Sequence, residues 1–186
     1  MDQQSSRSPD FETARRKYIP SNIKFLLVAE APPPENSRRF FYFENVSMGD
    51  SLFLELMKVL YHSDSLKPQD VRRQKRRFLQ RFRDDGFYLI DSSDTPIIES
   101  TQKRHHIERA LPSLRRKLLE LAPDDVKIIL ISKNVYEVCA EKLKTEGFNI
   151  INDEMIDFPG SGGQERFRRK LGRLLRNHGW SAGCMA

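Results

Sequence analysis

Ile23-Lys24-Phe25-Leu26-Leu27-Val28-Ala29 runs directly into Glu30-Ala31-Pro32-Pro33-Pro34-Glu35, and this junction decides the fold. The first seven residues form a short, mainly apolar run of the kind found in strands buried on both faces. The three prolines remove backbone donors and fix φ, so the chain can neither continue the strand nor begin a helix at once. A loop must follow at the carboxyl end of the strand, carrying Arg38, Arg39 and the cluster Phe40-Phe41-Tyr42-Phe43. Asp50 or Ser51 can then cap a helix to about Tyr61, with Leu52, Phe53, Leu56, Val59 and Leu60 on its buried face.

The same strand, polar loop and helix order recurs downstream. A helix predicted from Pro68 to just before Gly86 buries Val71, Phe78 and Phe82 on one stripe. Around that stripe Arg72, Arg73, Lys75, Arg76, Arg77, Arg81 and Arg83 form a basic face, which serves either to grip phosphates or simply to solvate the surface. Phe87-Tyr88-Leu89-Ile90 reads as a second buried strand ending in Asp91-Ser92-Ser93-Asp94-Thr95-Pro96. Ile107 to Leu121 has helical spacing with a kink at Pro112, Val126 to Ile131 is a third strand, and residues 133–146 form a helix closed by Gly147. Phe148 to Ile151 is predicted as a fourth strand, and Phe158-Pro159-Gly160-Ser161-Gly162-Gly163 leads into a last helix with Phe167, Leu171, Leu174 and Leu175 inward.

This alternation predicts an α/β fold: three layers, α/β/α, around a central, mainly parallel four-stranded sheet. Residues 1–20 read as a flexible N-terminal arm, 21–178 as one α/β domain and 179–186 as a C-terminal tail. Ligands of such sheets sit outside the carboxyl ends of the strands. The irregular segments 30–43, 91–96 and 157–164 all fall there and are expected to meet in a cleft.

Composition narrows the class. Of the 186 residues, 31% are charged and 38% hydrophobic, enough for one packed core under an ionic surface. No apolar run approaches the ~20 residues of a membrane span, and the N-terminus is too polar for a signal peptide, so an intracellular location, cytoplasmic or nucleoid-associated, is expected. Cys139 and Cys184 lie far apart, which argues against a disulfide framework or a cysteine-ligated metal. His105 and His106 have no carboxylate or cysteine at ligand spacing, so no metal and no cofactor is expected. The net charge of +6 favours a polyanionic partner such as DNA. Gly163-Gln164-Glu165-Arg166-Phe167 looks like a fragment of a small GTPase switch, but no phosphate-cradling Gly-x-x-x-x-Gly-Lys-Ser/Thr loop accompanies it.

Several of these segments, in order, resemble the uracil-DNA glycosylase superfamily over about residues 22–177. Val28-Ala29-Glu30-Ala31-Pro32 is similar to the Gly-Glu-Ala-Pro-Gly segment that ends that family's first strand. Phe87-Tyr88-Leu89-Ile90-Asp91 resembles the second strand, which there ends in a base-reading Asn. Residues 107–132 are similar to its helix-Pro-strand segment, and Phe158-Pro159-Gly160-Ser161 stands at the place of a His-Pro-Ser motif. The departures are Pro33 for Gly, Asp91 for Asn, Phe158 for His, and the absence of iron–sulfur cysteines. The resemblance implies a monofunctional glycosylase acting on a base other than plain uracil.

The residues can be matched to that chemistry. Cleaving an N-glycosidic bond leaves positive charge on the sugar and negative charge on the base, so a carboxylate must orient water or stabilise the cation. Glu30 or Glu35 can supply it. Ala31, Pro32, Phe40, Phe41, Tyr42 and Phe158 are candidates to line the base pocket, although Phe40 to Phe43 can equally plug the core. Asp91 either caps a turn or accepts hydrogen bonds from an exocyclic amine or ring N–H; as a carboxylate it cannot donate to a carbonyl oxygen. Arg38, Arg39, Lys103, Arg104 and His105 are candidate phosphate contacts, together with Gly160, Ser161, Gly162, Gly163 and Gln164 at the start of the last helix. The expected product is an abasic site in DNA, left by a monomeric enzyme of base excision repair or, for a bulky phage-type base, of defence. Two alternatives stand beside this: a non-catalytic relative that binds unusual bases or abasic sites, and an enzyme of nucleosides or nucleotides.

Overall fold

Phe25–Ala29 (β1) is buried at every position and has a parallel neighbour on each side, as its continuous apolar run requires. The computed structural model describes residues 11–34, 37–123, 125–160, 162–181 and 183. Among these the sheet has three strands in the order β2-β1-β3, where β2 is Phe87–Asp91 and β3 is Lys127–Leu130. The register pairs Ala29 with Asp91, and two bonds carry the pairing past the strand ends: Ser92 N–H to the Ala29 carbonyl (2.8 Å) and Ser93 N–H to that of Glu30 (3.2 Å). Glu30 and Asp91 therefore leave the sheet side by side.

The helices are α1 (Phe11–Arg16), α2 (Ser51–Tyr61), α3 (Pro68–Arg73), α4 (Lys75–Asp84), α5 (Lys103–Leu121), α6 (Lys133–Thr145) and α7 (Gln164–Asn177). α2 packs on α7, α5 on α6, and α4 against β2. Pro112 lies within α5, so that helix continues through it. The fold is α/β with a parallel sheet, as the alternating pattern predicts.

Three expectations are corrected. Phe148–Ile151 contributes one parallel bridge, Ile128 to Ile150, and not a full strand; a second bridge joins Ile131 to Ile156. The cause is Asn152, whose buried side chain accepts from the Leu130 N–H (3.0 Å) and donates to the Leu130 carbonyl (3.3 Å) and the Glu154 carbonyl (3.0 Å). An amide side chain thus occupies the backbone groups that a fourth strand would have paired.

The segment 11–20 is not a loose arm. Phe11 stacks on Phe40 at 4.5 Å between ring centroids, Tyr18 is buried, and its hydroxyl donates to Glu44 (2.8 Å). Residues 1–10 lie outside the described residues. The expected single basic helix is two, broken at Gln74, and Lys75 belongs to its interior. Val71, Lys75, Phe78 and Phe82 recur at intervals of four, three and four, so Lys75 falls on the apolar stripe itself and is 0% exposed. Its ammonium lies 4.4 Å from the Phe53 ring centre and 3.8 Å from Asp50, while Arg72 grips the other Asp50 oxygen with two bonds of 2.9 and 2.7 Å.

Candidate active site

The loops leaving β1 and β2 enclose a cleft of about 340 Å³ at the carboxyl end of the sheet. Its apolar walls come from Ala29, Phe40, Phe41, Leu52, Phe53 and Leu89. Glu30, Arg39, Asp91, Lys103 and Phe158 bring polar or aromatic groups to it from four separate segments. Glu30, Asp91 and Phe158 therefore line one cleft at the strand ends, while Gly160, Gly162, Gly163 and Gln164 are not among its lining residues.

Glu30 is tightly held. Its Oε2 accepts from Lys103 Nζ at 2.9 Å and its Oε1 from Asn134 Nδ2 at 3.0 Å. Burial raises the pKa of this carboxyl, but bonds from Lys103, Asn134 and Ser132 together with the lysine charge outweigh that and hold it below the usual range. The result is an ionised, oriented carboxylate beside an apolar wall. Its backbone carbonyl also accepts from Ser92 Oγ, which fixes the main chain at the strand exit.

Ser132 and Asn134 are site residues that the sequence reading missed. Ser132 ends the β3 segment with φ +86, a conformation that costs a non-glycine residue energy, and its Oγ caps α6 by accepting from the Val135 N–H (3.3 Å). The cap sets the first turn of α6 so that Asn134 faces Glu30. A Ser-Lys-Asn sequence at a strand-to-helix junction was the available signal, but its direction toward Glu30 depends on β3 lying next to β1.

Asp91 is nearly enclosed, its side chain 6% exposed, and its Oδ2 accepts from Arg15 Nη2 at 2.8 Å. Burial drives the carboxyl up to about 6, against the pull of Arg15 and Lys117. Lys117 donates to the Asp91 carbonyl (2.9 Å) and to Asp94 Oδ1 (2.8 Å), and Ser113 donates to the other Asp94 oxygen (3.0 Å). Asp94, more open, is held below the carboxylate range: burial acts upward, and Lys117 and Ser113 act downward and prevail.

The aromatic cluster divides its tasks. Phe40 and Phe41 line the cleft. Tyr42 does not: its buried hydroxyl accepts from the Leu89 N–H (2.8 Å) and donates to the Leu89 carbonyl (3.0 Å), riveting the loop to β2. Phe43 packs against Phe11 and Phe40. Phe158 is 42% exposed at the cleft mouth. Ala31 lines the cleft, Pro32 is buried beside it, and Glu35 lies outside the described residues.

The phosphate candidates are scattered in role. Lys103 is the partner of Glu30, and Arg104 is paired with Glu137. His105 is exposed, with Glu108 at 4.0 Å, while the neighbouring His106 meets Ser93 Oγ at 2.7 Å. In the turn before α7, the Gly160 N–H donates to the Phe158 carbonyl (2.9 Å) and the Gly163 N–H to the Gly160 carbonyl (3.0 Å), so neither points outward to an anion. A Cβ at Gly163 would sit 2.5 Å from the Phe158 carbonyl oxygen, which explains the glycine. Gly162 is exposed, Gln164 begins α7, and Ser161 lies outside the described residues.

Arg39 lies across Gly49, whose φ of +74 and close contact with the arginine stem both demand glycine. A second, open groove of about 640 Å³ is lined by Arg38, Arg72, Arg73 and Arg76 together with Glu44 and Gln69. Among the described residues no group of three His, Cys, Asp or Glu side chains is placed to hold a metal ion, and no helix is long and apolar enough to cross a membrane. Cys139 is buried, its thiol pushed up to about 12 by desolvation. No family model, curated protein or solved structure matches the chain.

Proposed function

We propose that the chain is a DNA glycosylase that hydrolyses the N-glycosidic bond of a damaged or modified base and leaves an abasic site. The observation that carries this reading is Glu30: an ionised carboxylate, fixed at both oxygens, at the mouth of an apolar cleft walled by Phe40 and Phe41. A flipped base would enter between the aromatic walls, with its sugar left near Glu30. The carboxylate then orients water toward C1′ or stabilises the developing oxocarbenium charge. Asp91 at the wall would accept a hydrogen bond from the base, and the Arg38, Arg73 and Arg76 groove would hold flanking phosphates.

With this reading goes the finer architecture of the resemblance: a three-layer α/β/α domain of the uracil-DNA glycosylase kind, its sheet extended beyond β3 by bridges at Ile150 and Ile156 in place of a fourth strand. A monomer working inside the cell on DNA, in repair or defence, belongs to the same proposal.

A second reading is favoured by Phe158 and by the Lys103–Glu30 pair. Phe158 stands where the resemblance would place a histidine that stabilises the departing base, and Lys103 neutralises the carboxylate. A binder of unusual bases that performs no hydrolysis would show both features. The test is a panel of duplexes and single strands with one modified base each, incubated with wild type and Glu30→Gln and then treated with alkali. Strand breaks that disappear in the variant support the enzyme. Salt-sensitive binding without breaks supports the binder. Absence of both, with turnover of free nucleosides, would replace the two by a nucleoside enzyme.

A further inference from the structure

The helix preceding the sheet sends one side chain to the candidate base-reading position. Arg15, on α1, reaches across to Asp91 at the end of β2, and the two side chains are 12% and 6% exposed. The same guanidinium lies 5.4 Å from the centre of the Phe40 ring, which walls the cleft that Asp91 also lines. We propose that Arg15 determines the base preference of the cleft: by holding Asp91 as an acceptor-only carboxylate, it selects bases whose buried edge carries N–H donors, an exocyclic amine above all, over bases that present carbonyl oxygens there. This rests on the glycosylase reading for its substrate, and it adds a residue and a base class to it.

The chemistry follows from hydrogen-bond inventory. An ionised carboxylate only accepts, whereas a protonated carboxyl both donates and accepts, as a carboxamide does. Which form Asp91 takes depends on the charges around it. Arg15 comes from α1; Lys117, from α5, bonds its carbonyl; Asp94 follows in the loop and opposes ionisation; and Tyr42 beneath it is occupied by Leu89. Glu12, at 3.6 Å from Arg15, shares the guanidinium from the exposed side. Burial already carries Asp91 up to about 6 with Arg15 in place. Removing the opposite charge moves it further upward, so near neutral pH the carboxyl becomes protonated and its edge gains a donor.

The test compares wild type, Arg15→Gln, Arg15→Lys and Asp91→Asn on two single strands that differ at one base, 5-hydroxymethylcytosine or 5-hydroxymethyluracil. These bases present an amine or a carbonyl at the same position, and single strands remove any difference in pairing. The ratio of excision rates, amine over carbonyl, is predicted to fall at least tenfold in Arg15→Gln and in Asp91→Asn, and to be kept in Arg15→Lys. In Arg15→Gln the ratio is predicted to recover as pH rises and Asp91 ionises, whereas in Asp91→Asn it stays flat. A ratio that is the same in all four proteins overturns the proposal. If wild type excises neither base, the base panel above decides the glycosylase reading, and competition binding of the same two strands decides the preference: the same ordering of ratios supports it, while equal binding, or none, overturns it. Thermal melts identify a variant that fails to fold, and Arg15→Met, which also removes the charge, then takes the place of Arg15→Gln in the comparison.

Discussion

Replacing Lys75 by methionine is predicted to stabilise the protein, although it removes a charge from a basic segment. The ammonium is wholly buried, has no hydrogen-bond partner among the described residues, and stands 3.8 Å from Asp50, whose other oxygen Arg72 already holds. Desolvation lowers its pKa from 10.5 to about 8 despite the attraction of Asp50. At about 1.4 kcal/mol per pH unit, keeping it charged costs roughly 3 kcal/mol at neutral pH. Methionine has nearly the same length and keeps the contact with Phe53, so a net gain of about 1–3 kcal/mol is expected, the attraction of Asp50 being already contained in the pKa of about 8. For a chain of this size each kcal/mol moves Tm by about 2–4 °C.

The pH dependence gives a second readout. Between pH 8 and 10 the unfolded chain binds the lysine proton and the folded chain does not, so wild-type stability rises across this window from this group. Lys75→Met lacks that rise. Urea melts of both proteins at pH 7, 8, 9 and 10 measure it. A variant less stable than wild type by more than about 1 kcal/mol, or one with the same pH slope, would refute the reasoning and show that the Asp50–Lys75 pair is net stabilising.

Further predictions concern the cleft and the groove. Lys103→Met removes the cation on Glu30 Oε2, so the Glu30 pKa rises and the acidic limb of the pH–rate profile moves to higher pH, with the largest activity loss on the acid side; an unshifted limb would separate Lys103 from Glu30 function. Tyr42→Phe leaves the Leu89 N–H and carbonyl without their hydroxyl partner and is expected to cost about 1–3 kcal/mol in chemical denaturation, with a loosened 37–48 loop. Arg73→Ala and Arg76→Ala, in the groove, should each lower the slope of log affinity against log salt by about 1, whereas Lys75→Met, from the same segment, should leave that slope unchanged.

The parallel core was legible because its strands are short apolar runs that each end in polar or proline-rich sequence, and Glu30 and Asp91 stand at those ends. The failures have particular causes. A period-2 or apolar run at 148–151 cannot reveal that the Asn152 side chain will occupy the backbone of Leu130. Lys75 lay at an apolar-stripe position, but a charged residue there is expected to point outward unless its partner is known, and Asp50 is remote in sequence. The polar start of the chain concealed Phe11, Arg15 and Tyr18, whose partners Phe40, Asp91 and Glu44 come from later loops. In the site itself, the 40–43 aromatics stood out by residue type and Glu30 by its place at a strand end within the resembling segment, while the contacts of Glu30 with Lys103 and Asn134 depend on how α5 and α6 follow the sheet.

Glu30 as the group acting on the glycosidic bond is tested most directly by counting free base. A strand containing a base that the wild type removes is incubated under single-turnover conditions with wild type or Glu30→Gln, and the released base is quantified by mass spectrometry. Release slowed by about 10²–10⁴-fold, with strand affinity kept within a few-fold, is the predicted outcome. Release at the wild-type rate from the glutamine variant would contradict it.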